Sequence, residues 1–502
     1  MSEGAVKKEE RRKFQAIRGT RDLLPPETVL WNRVEQTAHA VFGTFGFGEI
    51  RTPLLQTTDL FARSIGAETD VVSKEMYTLV DEMQGLPDPV DFAVSPEEYV
   101  DAVQEAIKGG EIQVTNSNLQ ALARLKSELA LYNARTESSS EEAHLKFRLG
   151  ASKIKFGDSI SLSPEATANV CRAYIEHNMQ QLPQPVKLYY LGPMFRRERP
   201  QKGRYRQFYQ IGAEILGGTD APAIDAEVIE MVMTFFEKLE LQGVQLDINS
   251  IGDRNCRPKY VELLRAELLK VKDKLGADSQ RRIETNPLRV LDSKLENEQT
   301  IIEKLPRIGD HLCKDCAEHY AAVKQELGLR AVKYRENWRL VRGLDYYMRT
   351  TFEITASGLG SQNAVCGGGR YDGLVELLGG PPAKGIGFAI GEDRLILSLQ
   401  ESGKAPAQQG RDVYIAWMGE NARATAIRAA KNLRNAGFSV ELPPVEQKFG
   451  KALGQADKLG ARFALILGDN EVASGEWTLK TLADGSQQKL TELQLLDFLR
   501  KL

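Results

Sequence analysis

A hairpin of two long apolar strands around a basic loop is the feature that most constrains the fold of this chain. KLYYLGPMF (187–195) and QFYQIGAEIL (207–216) are rich in strand-forming residues. The loop between them, 196–206, carries six Lys or Arg side chains and one acid, Glu198, although the formal net charge of the chain is −3. The pattern therefore predicts a sheet that holds a concentrated positive charge at the tip of one hairpin.

The chemistry of this loop is that of a phosphate-binding site beside an aromatic surface. Arginine forks suit phosphate oxygens, and aromatic rings stack on nucleotide bases. Phe195, Tyr205, Phe208 and Tyr209 are interleaved with the cations. The sequence contains no P-loop motif and no GxGxxG after a strand, so a nucleotide would be held on the sheet and not at a helix N-terminus. The alternative is a solvated loop with scattered ion pairs.

Cysteine content, hydropathy and charge exclude several classes of protein. Five cysteines in 502 residues argue against a disulfide scaffold and predict a reducing, cytoplasmic location. Neither an apolar run of about 18 residues nor an apolar N-terminal stretch occurs, so the sequence predicts no membrane span and no secretory signal. The near-neutral net charge excludes a globally basic nucleic-acid coat but permits a local basic track.

The periodicity of the chain separates a long first region from a compact C-terminal region. Residues 401–410, ESGKAPAQQG, have the composition of a linker, and the regular strand–helix alternation after them predicts an α/β domain of about 90 residues. Two mostly helical stretches, 83–156 and 249–330, interrupt the strand pattern of the first region. KEMYTLVD (74–81) and SISLSP (159–164), which flank the first stretch, are predicted strands.

A series of motifs resembles the class II aminoacyl-tRNA synthetases, in the form found in histidyl-tRNA synthetases. RGLDYY together with GGGRYDGL is highly specific, whereas the motif 2 segment alone would indicate only the class. Nearly the whole chain is covered, except residues about 83–156. The motifs are IRGTRDLLP near the N-terminus, GEIRTPLLQ (motif 1), SLSPEATA (the amino-acid-binding segment), GPMFRRERPQKGRYRQFYQIGAE (motif 2), NPLRVLDSK (the insertion domain), LVRGLDYYMRTTFEI and GGGRYDGL (two histidine-specific signatures) and GIGFAIGEDRL (motif 3).

The resemblance implies an α+β fold: a class II antiparallel sheet with flanking helices, helical insertions and a C-terminal α/β anticodon-binding domain. The implied segments are a flexible tail (1–15), the catalytic domain in three parts (16–82 with motif 1, 157–248 with motif 2, 331–400 with the histidine signatures and motif 3), an extra helical insertion (83–156), a helical insertion domain (249–330), the linker (401–410) and the anticodon-binding domain (411–502).

The ATP site implied by the resemblance draws on motifs 2 and 3. Arg196 would bind the α-phosphate, and Arg342 would face it across that phosphate as the histidine carboxylate attacks. Two arginines on one phosphoryl group stabilise its transition-state charge. Mg²⁺ would neutralise the triphosphate. The further ATP contacts would be Glu198 to the adenine amino group, Arg204 to the outer phosphates, and Phe208 and Arg394 on the two faces of adenine.

The implied histidine site combines acidic and hydroxyl groups, which suit a ring with two different nitrogens. For Tyr346 and Tyr371, plain core packing is the alternative. The roles implied are Glu165 and Thr167 at the α-amino group, Gln210 at the polar end of the amino acid, Glu214 and Tyr347 at the imidazole, Tyr346 and Tyr371 lining the pocket, and Gly367, Gly368 and Gly369 allowing close approach of the adenylate.

Two positions depart from the family pattern, and one segment has a metal-like spacing. Ser163 stands where an arginine is usual, and Ala166 gives PEATA in place of PEGTA. In HLCKDCAEH (311–319), two cysteines and two histidines are close in sequence, but no second CxxC pair exists. We therefore expect an ordinary helix there, with zinc binding as the alternative. The 83–156 insertion has no catalytic signature; a solvated helical embellishment is expected, with a tRNA or subunit contact as the alternative.

Taken together, the resemblance implies a histidine–tRNA ligase that uses ATP to activate L-histidine and transfers it to tRNA(His). Motif 1 implies a homodimer. The rival interpretation is a non-catalytic paralogue, a regulatory subunit of ATP phosphoribosyltransferase. Such paralogues generally lack the C-terminal domain and often the arginine at the position of Arg342, whereas this chain has both. An RNA-binding module without catalysis is disfavoured by the presence of Arg196, Phe208, Arg342 and Arg394 together.

Overall fold

The structure is a computed structural model that describes residues 14–66, 69–82, 95–109, 112, 115–134, 141–359, 363–404 and 410–501. The chain forms two compact units, one of Met1–Asp22 and Trp31–Lys404 and one of Leu23–Leu30 and Ala405–Leu502. Among the described residues, no helix is long and apolar enough to cross a membrane. Of the predicted tail 1–15, only Phe14 and Gln15 are among the described residues. Of the predicted linker 401–410, residues 405–409 lie outside them.

The regular elements as far as Lys404 are numbered in chain order. The strands are β1 Gly48–Glu49, β2 Leu55–Thr57, β3 Thr78–Glu82, β4 Gly157–Leu162, β5 Val186–Phe195, β6 Gln207–Leu216, β7 Gln245–Ser250, β8 Arg335–Glu336, β9 Met348–Thr355, β10 Ala364–Arg370 and β11 Gly385–Gly391. The α-helices are α1 Glu27–Thr44, α2 Thr58–Ile65, α3 Pro96–Lys108, α4 Asn116–Asn133, α5 Glu141–Ala151, α6 Thr167–Glu176, α7 Pro222–Lys238, α8 Arg257–Lys270, α9 Ala277–Thr285, α10 Glu296–Ile302, α11 Lys314–Leu329, α12 Leu374–Leu377 and α13 Glu392–Leu399. Short 3-10 or π segments are Val71–Glu75, Met179–Gln181, Lys272–Lys274, Pro287–Val290, Ile308–His311 and Gln400–Lys404.

An 8-stranded sheet, in the order β1-β5-β6-β11-β10-β9-β7-β8, forms the centre of the larger unit. The predicted hairpin is its β5–β6 pair, which runs antiparallel from Val186 opposite Leu216 to Phe195 opposite Gln207. From β5 to β7 in this sheet order, each strand pairs antiparallel with its neighbour. At the two edges, the short strands β1 and β8 pair parallel with β5 and β7. The predicted α+β fold with flanking helices is thus confirmed.

The helices α1 and α7 pack on one face of this sheet, and the site lies on the other face. The ring centroid of Phe42 from α1 lies 5.6 Å from that of Phe235 on α7 and 5.9 Å from that of Phe388 on β11. Since side chains alternate along a strand, the neighbours of Phe388, Gly387 and Ala389, point to the opposite face. Apolar burial on one face therefore determines which residues of β11 face the site.

A 3-stranded sheet, β2-β4-β3, packs beside the motif 1 segment. The predicted strand 74–81 is wrong at its start, because Val71–Glu75 form a π-helical turn and β3 begins at Thr78. The turn places Val71 and Val72 against the apolar cluster of Leu60 and Phe61 on α2. Tertiary packing overrides the local strand propensity here.

The two helical insertions have apolar cores of their own. In α3–α5 this core includes Tyr99, Val103, Leu125 and Phe147. Ser95 caps α3 by accepting from the backbone N–H of Glu98, whose side chain accepts from the N–H of Ser95, so the start of that helix is encoded locally. The helices α8–α10 and the following turns pack around a second apolar core, which includes Tyr260, Leu264, Leu268, Ile283, Val290 and Ile302.

The C-terminal unit is a 5-stranded sheet with helices on it. The order β13-β12-β14-β15-β16 combines parallel pairing of β12 with both neighbours and antiparallel pairing beyond β14, so the predicted mixed α/β arrangement is observed. Its elements are β12 Val413–Met418, α14 Glu420–Asn435, β13 Val440–Glu441, α15 Phe449–Lys458, β14 Phe463–Gly468, α16 Asp469–Ser474, β15 Trp477–Thr481, β16 Gln487–Leu490 and α17 Glu492–Arg500.

Candidate active site

A cavity of about 780 Å³ opens on the sheet face beside the basic hairpin. This volume is in the range of pockets that hold small ligands. Of the residues predicted for ATP and histidine, those that line the cavity are Glu165, Thr167, Arg196, Glu198, Arg204, Phe208, Gln210, Arg342, Tyr346, Tyr347, Gly367 and Arg394. The cavity thus gathers residues from β5–β6, α6, the 342–347 segment, β10 and α13 into one site.

Glu214 and Tyr371 lie directly behind the residues that line the cavity. The hydroxyl of Thr167 donates to Glu214 Oε1 at 2.6 Å, and the hydroxyl of Tyr371 donates to Glu214 Oε2 at 2.5 Å. Glu214 lies opposite Gly387 in the β6–β11 ladder, and a Cβ at Gly387 would lie 1.7 Å from Glu214 Oε2. Glycine at 387 is therefore what leaves space for the carboxylate.

Burial dominates the electrostatics of this carboxylate. Desolvation raises the pKa of Glu214 from 4.5 to about 8, the hydrogen bonds from Thr167 and Tyr371 oppose the rise, and the nearby Glu165 carboxylate adds to it. Burial also raises the pKa of Tyr347 to about 12, so its hydroxyl stays neutral. A buried acid flanked by hydroxyl groups can recognise a polar ring by hydrogen bonds and resists binding of apolar groups.

Glu165 is held at the N-terminus of α6. Its carboxylate accepts from the backbone N–H of Thr167 and of Ala168, both at 2.9 Å, and from the hydroxyl of Tyr346 at 3.4 Å. Burial raises its pKa, while these backbone hydrogen bonds lower it. The orientation of Glu165 is thus determined by the helix end, and the carboxylate is positioned at the cavity wall.

Arg342 is aligned by strand register. Glu353 on β9 lies opposite Gly367 on β10, and Arg342 Nη1 donates to Glu353 Oε2 at 2.9 Å. The guanidinium covers Gly367, where an added Cβ would lie 2.0 Å from Nη2. The Nε of Arg342 and the Oε1 of Gln210 are buried without a hydrogen-bond partner among the described residues. Buried polar groups normally have partners, so these two atoms point to a ligand.

The basic hairpin supplies cations and an aromatic ring at the cavity mouth. The Arg196 guanidinium lies 5.2 Å from the ring centroid of Phe208, and its Nε donates to the carbonyl of Pro164 at 2.9 Å. Arg204 pairs with Glu198 at 3.3 Å. Burial lowers the pKa of Arg394 and the neighbouring Arg204 lowers it further, so positive charge is concentrated here. Such a cluster of cations is suited to a polyanion.

The three glycines of β10 face different environments. Gly367 lines the cavity, whereas a Cβ at Gly368 would strike the side chains of Phe352 and Phe388. A Cβ at Gly369 would meet the carbonyl of Thr350 at 2.6 Å. Alternation along the strand turns Gly368 to the opposite face, and the Thr350 carbonyl obstructs Gly369, so Gly367 is the member of the three that can approach a ligand.

Comparison with known proteins places this arrangement in a family. The family model described as histidyl-tRNA synthetase matches residues 131–395, and the model described as anticodon binding domain matches residues 412–502. A curated histidine–tRNA ligase of Solibacter usitatus is 47% identical over 479 residues, which cover 95% of this chain and 97% of that protein. The chain belongs to the histidyl-tRNA synthetase family.

Solved structures agree with this membership of the histidyl-tRNA synthetase family. The structure of apo histidyl-tRNA synthetase from S. aureus has a TM-score of 0.68 and 32% identity, covering 97% of this chain and 100% of that chain. A Bacillus halodurans protein described as an ATP phosphoribosyltransferase regulatory subunit/histidyl-tRNA synthetase has a TM-score of 0.53 and 16% identity, covering 91% and 98%. At that identity, the second similarity shows the fold alone.

Ser163, which departs from the family pattern, is not at the cavity surface. Its hydroxyl donates to the carbonyl of Leu54 at 2.8 Å and accepts from Asn169 Nδ2 at 2.9 Å. Ala166, the second departure, is buried at the N-cap of α6 in an apolar cluster. Ser163 thus connects the segment before Glu165 to Leu54, and neither residue adds a polar group to the site.

The cavity of this synthetase-family chain has further charged residues that the sequence motifs did not identify. Glu353 lies within the LVRGLDYYMRTTFEI signature, which assigned it no role, and its register opposite Gly367 together with its hydrogen bond from Arg342 shows that it orients that arginine. The insertion also contributes cations, which line the cavity across from the basic hairpin: Arg282, Arg289 and Lys294. Arg289 belongs to the NPLRVLDSK motif, the one sequence signal that could have placed the insertion at the site.

Proposed function

We infer that this chain is an ATP-dependent histidine–tRNA ligase. A carboxylate oxygen of L-histidine attacks the α-phosphorus of ATP, pyrophosphate leaves, and histidyl-adenylate forms. The terminal ribose of tRNA(His) then attacks the adenylate carbonyl and AMP leaves. The observation that carries this conclusion is one cavity with a buried Glu214–Thr167–Tyr371 cluster at its rear and arginines at its mouth. That pattern suits an amino acid with a polar ring joined to a nucleotide.

The arginines are proposed to bind the reacting phosphate. Arg342 is oriented by Glu353, and its buried Nε has no hydrogen-bond partner in the part of the chain that the structure describes, while Arg196 lies at the mouth beside Phe208. A pair of fixed cations at the α-phosphate stabilises the charge that develops during the attack. Arg204 and Glu198 pair with each other, so ATP would replace this contact with its outer phosphates and its adenine amino group. Phe208 and Arg394 are proposed on the two faces of adenine.

The histidine pocket is proposed at the Glu214 cluster. Glu214 and the neutral hydroxyl of Tyr347 would bind the imidazole, and Glu165 with Thr167 would bind the α-amino group. Gln210 would bind the polar end of the amino acid through its unpartnered Oε1. Tyr346 and Tyr371 would fix the two carboxylates by the hydrogen bonds that they donate.

Magnesium is proposed to accompany ATP. Mg²⁺ prefers oxygen ligands and usually takes one or two carboxylates together with phosphates. The carboxylates of Glu75, Glu198 and Glu353 line the cavity and offer that donor type, so the residues fit the ion. When bound, the ion would neutralise part of the triphosphate charge.

The partners proposed beyond ATP and histidine are tRNA(His) and a second copy of the chain. The C-terminal unit, which matches the anticodon binding domain, would contact the tRNA anticodon. A homodimer through motif 1 is supported by exposed apolar side chains on the 3-stranded sheet and just before it: Leu54, Leu55, Leu79 and Val80. A cytoplasmic location is proposed because the five cysteines are free thiols.

The regulatory-subunit interpretation is not favoured. The similarity to a protein of that description is at 16% identity, whereas a curated histidine–tRNA ligase is 47% identical over nearly the full chain. The chain also retains Arg342 and a C-terminal unit that matches the anticodon binding domain.

ATP–pyrophosphate exchange on the purified chain tests this function, with each of the twenty amino acids supplied in turn. We expect exchange with histidine alone, followed by charging of tRNA(His) when the tRNA is added. Absence of exchange with every amino acid, from a protein that unfolds cooperatively, would refute the activity and favour a regulatory role.

A further inference from the structure

Three thiols and one carboxylate converge behind the active site, although they come from two separate stretches of the chain. Asp253 and Cys256 lie between β7 and α8, and Cys313 and Cys316 lie at the N-terminus of α11. One Sγ or carboxylate oxygen from each of the four lies within 4.8 Å of the others. Asp253, Cys256 and Cys316 are buried, and Cys313 is half-buried.

The spacing of these atoms suits a tetrahedral ion. With Zn–S bonds of about 2.3 Å and Zn–O bonds of about 2.0 Å, sulfur–sulfur edges of the tetrahedron are about 3.8 Å and sulfur–oxygen edges about 3.5 Å. Asp253 Oδ1 lies 3.5 Å from Cys256 Sγ and 3.9 Å from Cys313 Sγ. Closing the widest separation to the ideal edge requires about 1 Å of movement, which side-chain rotation can supply.

The chain pattern also matches that of a closed metal site. The four residues form two turns of equal spacing, Asp253-x-x-Cys256 and Cys313-x-x-Cys316, and each turn leads into a helix. The first turn differs from a CxxC pair only in having aspartate in place of the first cysteine. Gly252, at φ +65°, permits the first turn, because a Cβ there would lie 2.7 Å from Cys256 Sγ. The nearby histidines do not take part: His319 Nε2 lies 3.1 Å from the carbonyl oxygen of Asp220, and the ring of His311 lies beside Tyr260.

Positive groups surround the cluster and suit a site that remains negative after binding a divalent ion. Arg349 Nη2 lies 3.8 Å from Asp253 Oδ2. Arg257, which follows Cys256, donates from Nη1 to the carbonyl of Tyr347 at 2.6 Å. The N-termini of α8 and α11 add their partial positive charges. Both arginines connect the cluster to the 342–349 segment, which lines the active-site cavity.

We propose that Asp253, Cys256, Cys313 and Cys316 form a structural Zn²⁺ site that ties the helical insertion to the catalytic sheet. Three thiolates select a soft ion, and four protein ligands leave no open position for catalysis. Binding releases the three thiol protons to solvent, and no redox change is involved. Through Arg257 and Arg349, the ion would hold the segment that contains Tyr347.

Metal analysis of the full chain, purified in reducing buffer without chelator, tests the proposal. We expect about one Zn²⁺ per chain, and Co²⁺ substitution should produce the thiolate-to-cobalt charge-transfer absorption of a three-sulfur site. The variant Cys313→Ser should lower zinc affinity by more than about 100-fold, beyond what loss of an outer-shell partner costs. Cys171→Ala, which removes a buried thiol elsewhere, should retain the ion.

Asp253→Cys provides the opposite test, because it would complete four thiolates. We expect this variant to keep the metal and to strengthen the charge-transfer absorption, a result that misfolding cannot imitate. Substoichiometric zinc in the parent that does not rise after incubation with ZnCl₂, with no charge-transfer absorption after incubation with CoCl₂, would overturn the site. A disulfide found among the three cysteines under reducing conditions would overturn it as well. None of these measurements depends on the ligase activity.

Discussion

Replacing Arg342 with alanine tests the geometry of the active site most directly. The Arg342–Glu353 pair is partly solvated, with side-chain exposures of 22% and 32%, so its loss should lower the free energy of unfolding by only about 1 kcal/mol. An arginine that contacts a phosphoryl group in the transition state contributes a factor of about 10³ or more to the rate. We therefore expect histidine-dependent ATP–pyrophosphate exchange to fall about 1,000-fold, or roughly 4 kcal/mol in barrier height, in a protein that remains folded.

Two companion variants separate charge from geometry. Arg342→Lys retains the charge but not the planar fork, so its exchange rate should lie between those of the parent and the alanine variant. Gly367→Ala retains the arginine but places a Cβ 2.0 Å from Nη2, which forces the guanidinium off its position. We expect that variant to lose activity to nearly the same extent as Arg342→Ala.

Arg335→Ala is the matched control. Arg335 also pairs with a carboxylate on a neighbouring strand, Asp247, but lies outside the cavity. The exchange rate of this variant should stay within about threefold of the parent, since Arg335 is exposed and does not line the cavity. The assay is steady-state exchange with thermal unfolding measured in parallel. An Arg342→Ala rate within tenfold of the parent, with normal unfolding, would refute the proposed role.

Further predictions concern the buried charges. Glu214→Gln should raise the histidine KM at least about 100-fold and leave the ATP KM nearly unchanged, because the amide cannot ionise to give the ring a charged acceptor; equal changes in both constants would contradict this. Because folding raises the pKa of Glu214 from 4.5 to about 8, its protonation stabilises the free protein fully below pH 4.5, and that stability is lost as pH rises through 8. In urea unfolding at a series of pH values, the stability of the parent should fall relative to that of Glu214→Gln across this window by on the order of 5 kcal/mol; parallel pH profiles would disprove the shift. Asp225→Asn should lower the free energy of unfolding by about 3–5 kcal/mol, because Arg370 is fully buried against Asp225; a loss below about 1 kcal/mol in urea unfolding would count against that pair.

Local sequence patterns were sufficient to predict the elements whose structure depends on residues close together in the chain. The β5–β6 hairpin follows from two strand-forming runs and the loop between them, and the start of α3 follows from Ser95 and Glu98. The strand–helix alternation of the C-terminal unit was predictable for the same reason. The start of β3 was not, because Val71–Glu75 turn to pack against α2.

The sequence by itself determined the family, the sheet-borne basic loop and the identities of the residues proposed for ATP and histidine. The tertiary structure decided which of those residues meet. Tyr371 reaches Glu214 from 157 positions away, Glu353 aligns Arg342 through strand register, and Cys256 meets Cys313 across an entire insertion. Such contacts depend on the order of the strands in the sheet, which no local spacing encodes. The CxxC segment does begin a helix, as expected, but the segment alone could not show that Asp253 and Cys256 lie beside it.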